Sequence, residues 1–184
     1  MADFEDLAQV LAGVGQRYPR LQPHVDQSVA TYGTPSGPGD NRQLEFYHPW
    51  DTHNPNPGKN TLEIYNRNLQ GPDLQAAVAG DLLHRLGSMD PTTGQAVDPR
   101  WRQMRQDLVA ARSPQGGQAD VRTWLSDNQR YGYRPYSQWR DHSRDDAYVR
   151  AALFPEQNPE WQRGAITPGM QPTIAQMRDY LRGE

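Results

Sequence analysis

Gly80-Asp81-Leu82-Leu83-His84 puts a carboxylate and an imidazole three residues apart in a segment patterned as a helix. At that spacing two side chains of one helix reach the same point in space and can share an ion or a proton. In the His-Glu-x-x-His arrangement of a catalytic zinc site, two histidines one turn apart bind the metal and the glutamate activates water. Here glycine stands at the first histidine position, and Asp81, one methylene shorter, at the glutamate position. The outline of such a site is kept, with one ligand removed and the base displaced.

A second group lies in 137–153. At about 100° per residue, His142, Asp145 and Asp146 fall on the arc of Trp139, Tyr148, Val149, Ala152 and Leu153, while Arg140, Arg144 and Arg150 lie outside it. A carboxylate turned inward needs a cation, a histidine, helix N–H groups or a metal opposite it. Arg85, on the apolar side of the 72–86 helix, and His84 are the candidates. Two readings stay open. In the first, His84 and an aspartate form a structural pair that joins two helices, with Arg85 and Asp145 as a further polar pair. In the second, Asp81 is an acid/base and His84, His142 and Asp146 hold a divalent metal, zinc or iron. His48 and His53 flank Trp50 in a Pro-rich loop and either complete such a site or are simply solvated. Trp50, Tyr131, Tyr133, Tyr136 and Trp139 form an aromatic set that suits a carbohydrate platform, a partner surface or a cover over a thin core.

The elements that must position these groups follow from periodicity. Phe4, Leu7, Leu11 and Val14 make one stripe of a first helix. From Pro19 to Asp40 the pattern dissolves into a Pro/Gly loop. Gln43 to Tyr47 and Thr61 to Asn66 alternate as half-buried strands, predicting an antiparallel pair across a long Pro-rich loop. Pro72 opens a helix with a Leu74, Val78, Leu82, Leu86 ridge that Gly87 and Pro91 end. Asp98-Pro99 starts another, with Trp101, Met104, Leu108 and Ala111 inward. A short helix over 120–130, one over 137–153 capped by Ser137, and a last one through Ile174, Met177 and Leu181 complete the pattern. The expectation is an α+β, mostly helical protein of about five helices with a small two-stranded antiparallel element and long Pro/Gly-rich loops. Residues 1–40 read as an N-terminal helix and extended arm, and 41–184 as a single domain.

Composition narrows the function classes. The 184 residues are 35% hydrophobic with 16 Gly and 16 Pro, and the mean hydropathy of −0.97 points to a modest core and much loop. Net charge is −3, and of 19 basic residues only Lys59 is lysine. No basic tract is present to grip phosphates, which disfavours nucleic acid. Without cysteine, disulfides, thiolate metal sites and cysteine nucleophiles are excluded. The start, Met1-Ala2-Asp3-Phe4-Glu5-Asp6, is acidic where a signal peptide is basic, and no apolar run is long enough to span a bilayer, so synthesis in the cytoplasm is expected.

Leu44 to Tyr47, Asn56 to Asn66, Gly80 to His84 with Asp90-Pro91, and Trp139 to Tyr148 together resemble a group of uncharacterised proteins encoded in bacteriophage and prophage structural regions, over about residues 40–182. The strand-then-helix order also resembles the core of minimal zincin-like peptidases, from which the chain departs at Gly80. The first resemblance implies a non-enzymatic virion or assembly protein. It would be made in the host cytoplasm, carried into the virion, and work through contacts with other phage structural proteins or with itself. The second implies a metal-dependent hydrolase of the peptidase class with a modified motif. A cytoplasmic adaptor is the third class the sequence admits.

Overall fold

A computed structural model of the chain describes residues 6–40, 42, 44–111, 141–157 and 166–184, with the side chains of 141–145 and 147 outside that description. The first helix, α1 (Leu7–Arg17), begins where Asp6 accepts the Ala8 N–H at 2.9 Å, satisfying one of the unpaired donors of a helix start. Its buried Leu7, Val10, Leu11 and Val14 join the main core. A 3₁₀ turn (Pro19–Leu21) and the short α2 (Gln22–Val25) lead into β1 (Ser28–Tyr32).

A three-stranded mixed sheet forms the floor. Its central strand is β3 (Asn60–Ile64), which pairs antiparallel with β2 (Leu44–Tyr47), Phe46 opposite Leu62, and parallel with β1, Ala30 opposite Leu62. The antiparallel pair is the one the alternation predicts. The third strand lies inside the stretch from Pro19 to Asp40 expected to be loop. Ser28-Val29-Ala30-Thr31-Tyr32 alternates too weakly to declare itself, and it becomes a strand because β3, about thirty residues later, offers a parallel ladder. A second antiparallel pair, β4 (Met89–Asp90) with β5 (Gln95–Ala96), forms where the sequence pattern predicts no strand. Gly94 turns it at φ +67°, and Asp90 caps it through the Thr92 N–H.

Helices cover the sheet. In α3 (Gly71–Gly87) Leu74, Val78, Leu82, Leu83 and Leu86 are buried. Asp98 caps α4 (Pro99–Ala110) by accepting the Trp101 N–H at 2.9 Å, and its other oxygen accepts the Tyr180 hydroxyl at 2.7 Å. The Tyr180 ring is flanked by the guanidinium groups of Arg20 and Arg100 at 4.8 and 4.7 Å. α5 (Asp141–Leu153) packs on both α3 and α4, and α6 (Gln171–Arg182) closes the core with Ile174, Met177, Tyr180 and Leu181. The helices expected near 4–16, 72–86, 99–111, 137–153 and 174–181 thus all have counterparts, while the one over 120–130 lies outside the described residues. Trp101 is fully buried and donates its indole N–H to the Leu83 carbonyl at 3.1 Å, tying α4 to α3. Trp101→Phe loses that bond and leaves a small void, so a stability loss of about 1–3 kcal/mol is expected in chemical denaturation, with an unchanged slope.

Asn54 holds the Pro-rich loop between β2 and β3. Its side-chain amide donates to the carbonyls of His48 and Lys59 at 2.8 and 2.7 Å, and its Oδ1 accepts the Thr61 hydroxyl at 2.7 Å. Those bonds tie the ends of a segment without regular structure, which lays His48 beside His84 and Trp50 beside Arg85 of α3.

Candidate functional site

The edge of α3 that carries Gly80, Asp81, His84 and Gly87 faces α4 and α5. Two glycines seven residues apart, two helical turns, make a shallow groove along it. A Cβ at position 80 would sit 2.8 Å from Nε of Arg150, and one at position 87 would overlap a terminal nitrogen of Arg105. Each arginine therefore lies in space that only glycine leaves open.

Arg150 donates through Nη2 to Asp81 Oδ1 at 2.8 Å. His84 Nδ1 meets Asp146 Oδ2 at 2.6 Å, and Arg105 approaches the other oxygen of Asp146 at 3.4 Å. Asp146, on α5, is thereby held between α3 and α4. Side-chain exposure is 8% for Arg105, 15% for Asp81, 19% for Asp146 and 25% for His84, so the pairs sit at the edge of the core with one side toward water. Burial raises the Asp146 carboxyl, but the hydrogen bond with His84 and the charges of His84, Arg105 and Arg150 outweigh it and hold the group below the ordinary carboxylate value. Asp81 goes the other way. Its burial dominates, Arg150 and His84 oppose without cancelling, and the carboxyl is pushed up.

On its other side the His84 ring stands edge-on to Phe46, centroids 6.5 Å apart, and lies 5.6 Å from the ring of His48. His48 stacks flat on Trp50 at 4.8 Å, and its backbone N–H donates to Asp51 at 2.5 Å. Burial, then the charge of His84, push His48 down to about 4; Asp51 pulls the other way, and Arg85 adds a smaller downward push. In an NMR titration His48 is expected to stay neutral through physiological pH and to protonate only near pH 4; a midpoint near 6.5 would show that it is not enclosed. His53 is exposed.

The structure brings together Asp81, His84 and Asp146; the His84–Asp146 contact is the helix-joining histidine–aspartate pair of the first reading, and the arginines beside these acids are Arg105 and Arg150. Arg85 does not pair with Asp146, the α5 carboxylate whose side chain is described; its guanidinium lies over Trp50, 4.3 Å from the ring. One residue along a helix is about 100° of rotation, so Arg85 faces the loop while His84 faces α5. Arg105 and Arg150 hold the aspartates instead. Arg105 was legible as a charge on the inward stripe of α4 between Trp101 and Leu108, and Gly80 with Gly87 was a legible groove. Arg150 starts outside the inward arc and reaches back along its aliphatic stem. The side chains of His142 and Asp145, and Tyr131, Tyr133, Tyr136 and Trp139, lie outside the described residues.

A zinc site of the His-Glu-x-x-His kind does not fit these groups. Arg150 fills the place of the first ligand, a cation where a divalent ion would be repelled, and His84 and Asp146 are in direct hydrogen-bond contact. Among the described residues no group of three His, Asp or Glu side chains is placed to hold one ion. What the arrangement does hold is a carboxylate-oriented imidazole between two arginines, a form that fastens helices and also fixes which ring nitrogen carries a proton. No protein-family model, no curated protein and no solved structure matches this chain.

Proposed function

We propose that this chain is a non-enzymatic component of a bacteriophage particle or of its assembly and acts through contacts with other particle proteins or with a second copy of itself. The observation that carries the reading is the Arg150 guanidinium, which occupies the space beside Gly80 and engages Asp81. The two residues left from a hydrolase-like motif are thereby used in fastening α5 to α3 and α4. The resemblance over 40–182 supplies the particle context. A modest core with long Pro/Gly segments suits a protein that gains further burial from its neighbours. Among the described residues no helix is long and apolar enough to cross a membrane.

Quantitative mass spectrometry of gradient-purified particles tests the proposal. A fixed copy number per particle, retained through a salt wash, is the expected result. Absence from particles, with the protein left in the host cytoplasm on host partners, would replace the proposal with the adaptor reading. The competing hydrolase reading has the β3-to-α3 order and the water-facing side of His84 in its favour, and requires His142 to complete a ligand set with His84 and Asp146. Stoichiometric zinc or iron by elemental analysis, lost in His84→Ala, would put that reading first.

A further inference from the structure

Arg85 is buried to 8% exposure, and its Nε and Nη1 have no hydrogen-bond partner. Nδ1 of the adjacent His48 is buried and unpartnered as well. Both side chains pack on the same indole, His48 flat against Trp50 at 4.8 Å and Arg85 at 4.3 Å from its ring. A charged donor shut away without an acceptor costs more than a neutral one, and native proteins keep few such groups without a use.

The acceptors nearest in charge do not fill the gap. Asp51 and Asp90 both favour the Arg85 cation, yet an oxygen of Asp51 is taken by the His48 N–H at 2.5 Å and one of Asp90 by the Thr92 N–H at 2.8 Å. Each is pinned in its own turn. Neither carboxylate is hydrogen-bonded to Arg85 Nε or Nη1, so both donors stand open to an acceptor brought by another molecule. A water would meet the hydrogen bonds alone, whereas a carboxylate meets them and adds a negative charge in direct contact with the guanidinium.

We propose that the corner of Arg85, Trp50 and His48 receives a carboxylate from an acidic side chain, flanked by apolar residues, on a partner protein. This rests on the reading of the chain as a partner-binding component and locates one contact. The aromatic surroundings, Trp50 and Phe46 about His48, match a single carboxylate carried between apolar side chains. The negative charges of Asp51 and Asp90 beside it disfavour a polyanion such as nucleic acid. The donors are closed to solvent beneath the half-buried Trp50 indole, so the proposal includes a displacement of that ring when the carboxylate binds.

The test is a ¹⁵N NMR titration of the full chain, following the Arg85 Nε–H and Trp50 Nε1–H resonances. The probe is acetyl-Leu-Asp-Glu-Leu-amide, compared with its Asn/Gln counterpart and with acetate and phosphate. The expected result is a saturable shift of both resonances with the acidic peptide, affinity at least about fivefold lower for the uncharged peptide, and loss of the response in Arg85→Gln. Trp50→Leu, at a half-buried loop position, guards against misfolding of the first variant and is expected to weaken binding with a normal melting curve. No shift at millimolar peptide overturns the proposal. So does an equal response to acetate or phosphate, which would mark a small-ion site. Peptide binding and particle incorporation are read separately, so either can fail while the other stands.

Discussion

Gly80→His, which rebuilds the missing half of a His-x-x-x-His pair on α3, is expected to lower the melting temperature by roughly 6–12 °C and to leave the protein without stoichiometric zinc. The added side chain begins with a Cβ that would lie 2.8 Å from Nε of Arg150. Arg150 is 39% exposed and can move outward, but only by releasing Asp81, which is 15% exposed and depends on it for charge compensation. Breaking a fully buried pair costs about 3–5 kcal/mol, and water on the arginine side brings the figure to about 3. Gly80→Ala is the control. It gains up to about 1 kcal/mol of helix propensity and meets the same guanidinium, so its net loss is smaller. A double-mutant cycle with Arg150→Ala isolates the collision, because the penalty at position 80 should shrink when the guanidinium is gone. A histidine variant as stable as the parent, carrying one zinc per chain, would mean that Arg150 is no part of a latch.

Asp146→Asn is expected to cost about 2–4 kcal/mol at neutral pH, read from chemical denaturation, because it removes the anion that joins His84 on α3 with Arg105 on α4. The pH dependence carries its own sign. Asp146 is held below its ordinary value in the folded chain, so the folded state favours the ionised form. That contribution is fully present above the unfolded value near 3.9 and is lost as pH falls through it toward the lower folded value. The gap between parent and variant should therefore be flat above about pH 5 and close in more acidic solution. Asp81 contributes with the opposite sign. Its folded carboxyl is raised, the folded state binds the proton more tightly, and stability from this group rises as pH drops through that raised value. Asp81→Asn should accordingly remove the contribution that rises toward acid and leave the acid limb that belongs to Asp146. A gap that persists unchanged to pH 3 would contradict the assignment.

The elements that could be read from sequence were those whose stability is written locally. The Leu74-to-Leu86 ridge, the Asp98 cap and the alternation of Leu44 to Tyr47 each state their own conformation. β1 does not, because its ladder comes from a strand distant in sequence. The inward-facing acids of 137–153 were a sound pointer to a polar contact, and Asp146 does find His84. Choosing among arginines was beyond a helical wheel. A one-residue shift turns Arg85 away from α5, and the length of Arg150 carries its charge round to the groove at Gly80. Partner choice depends on how closely two helices approach, which glycine spacing only hints at.

Asp98 is one carboxylate with two duties, starting α4 and taking the Tyr180 hydroxyl, while Arg20 and Arg100 clasp the same tyrosine. Segments about 160 residues apart in sequence are thereby stitched at a single ring. Peeling α6 away would loosen the first turn of α4 and, through Trp101, its bond to α3. Backbone amides of α6 should then exchange with solvent deuterium nearly as slowly as those of α3, so that this outer helix behaves as the keystone of one cooperative unit and not as a fraying edge.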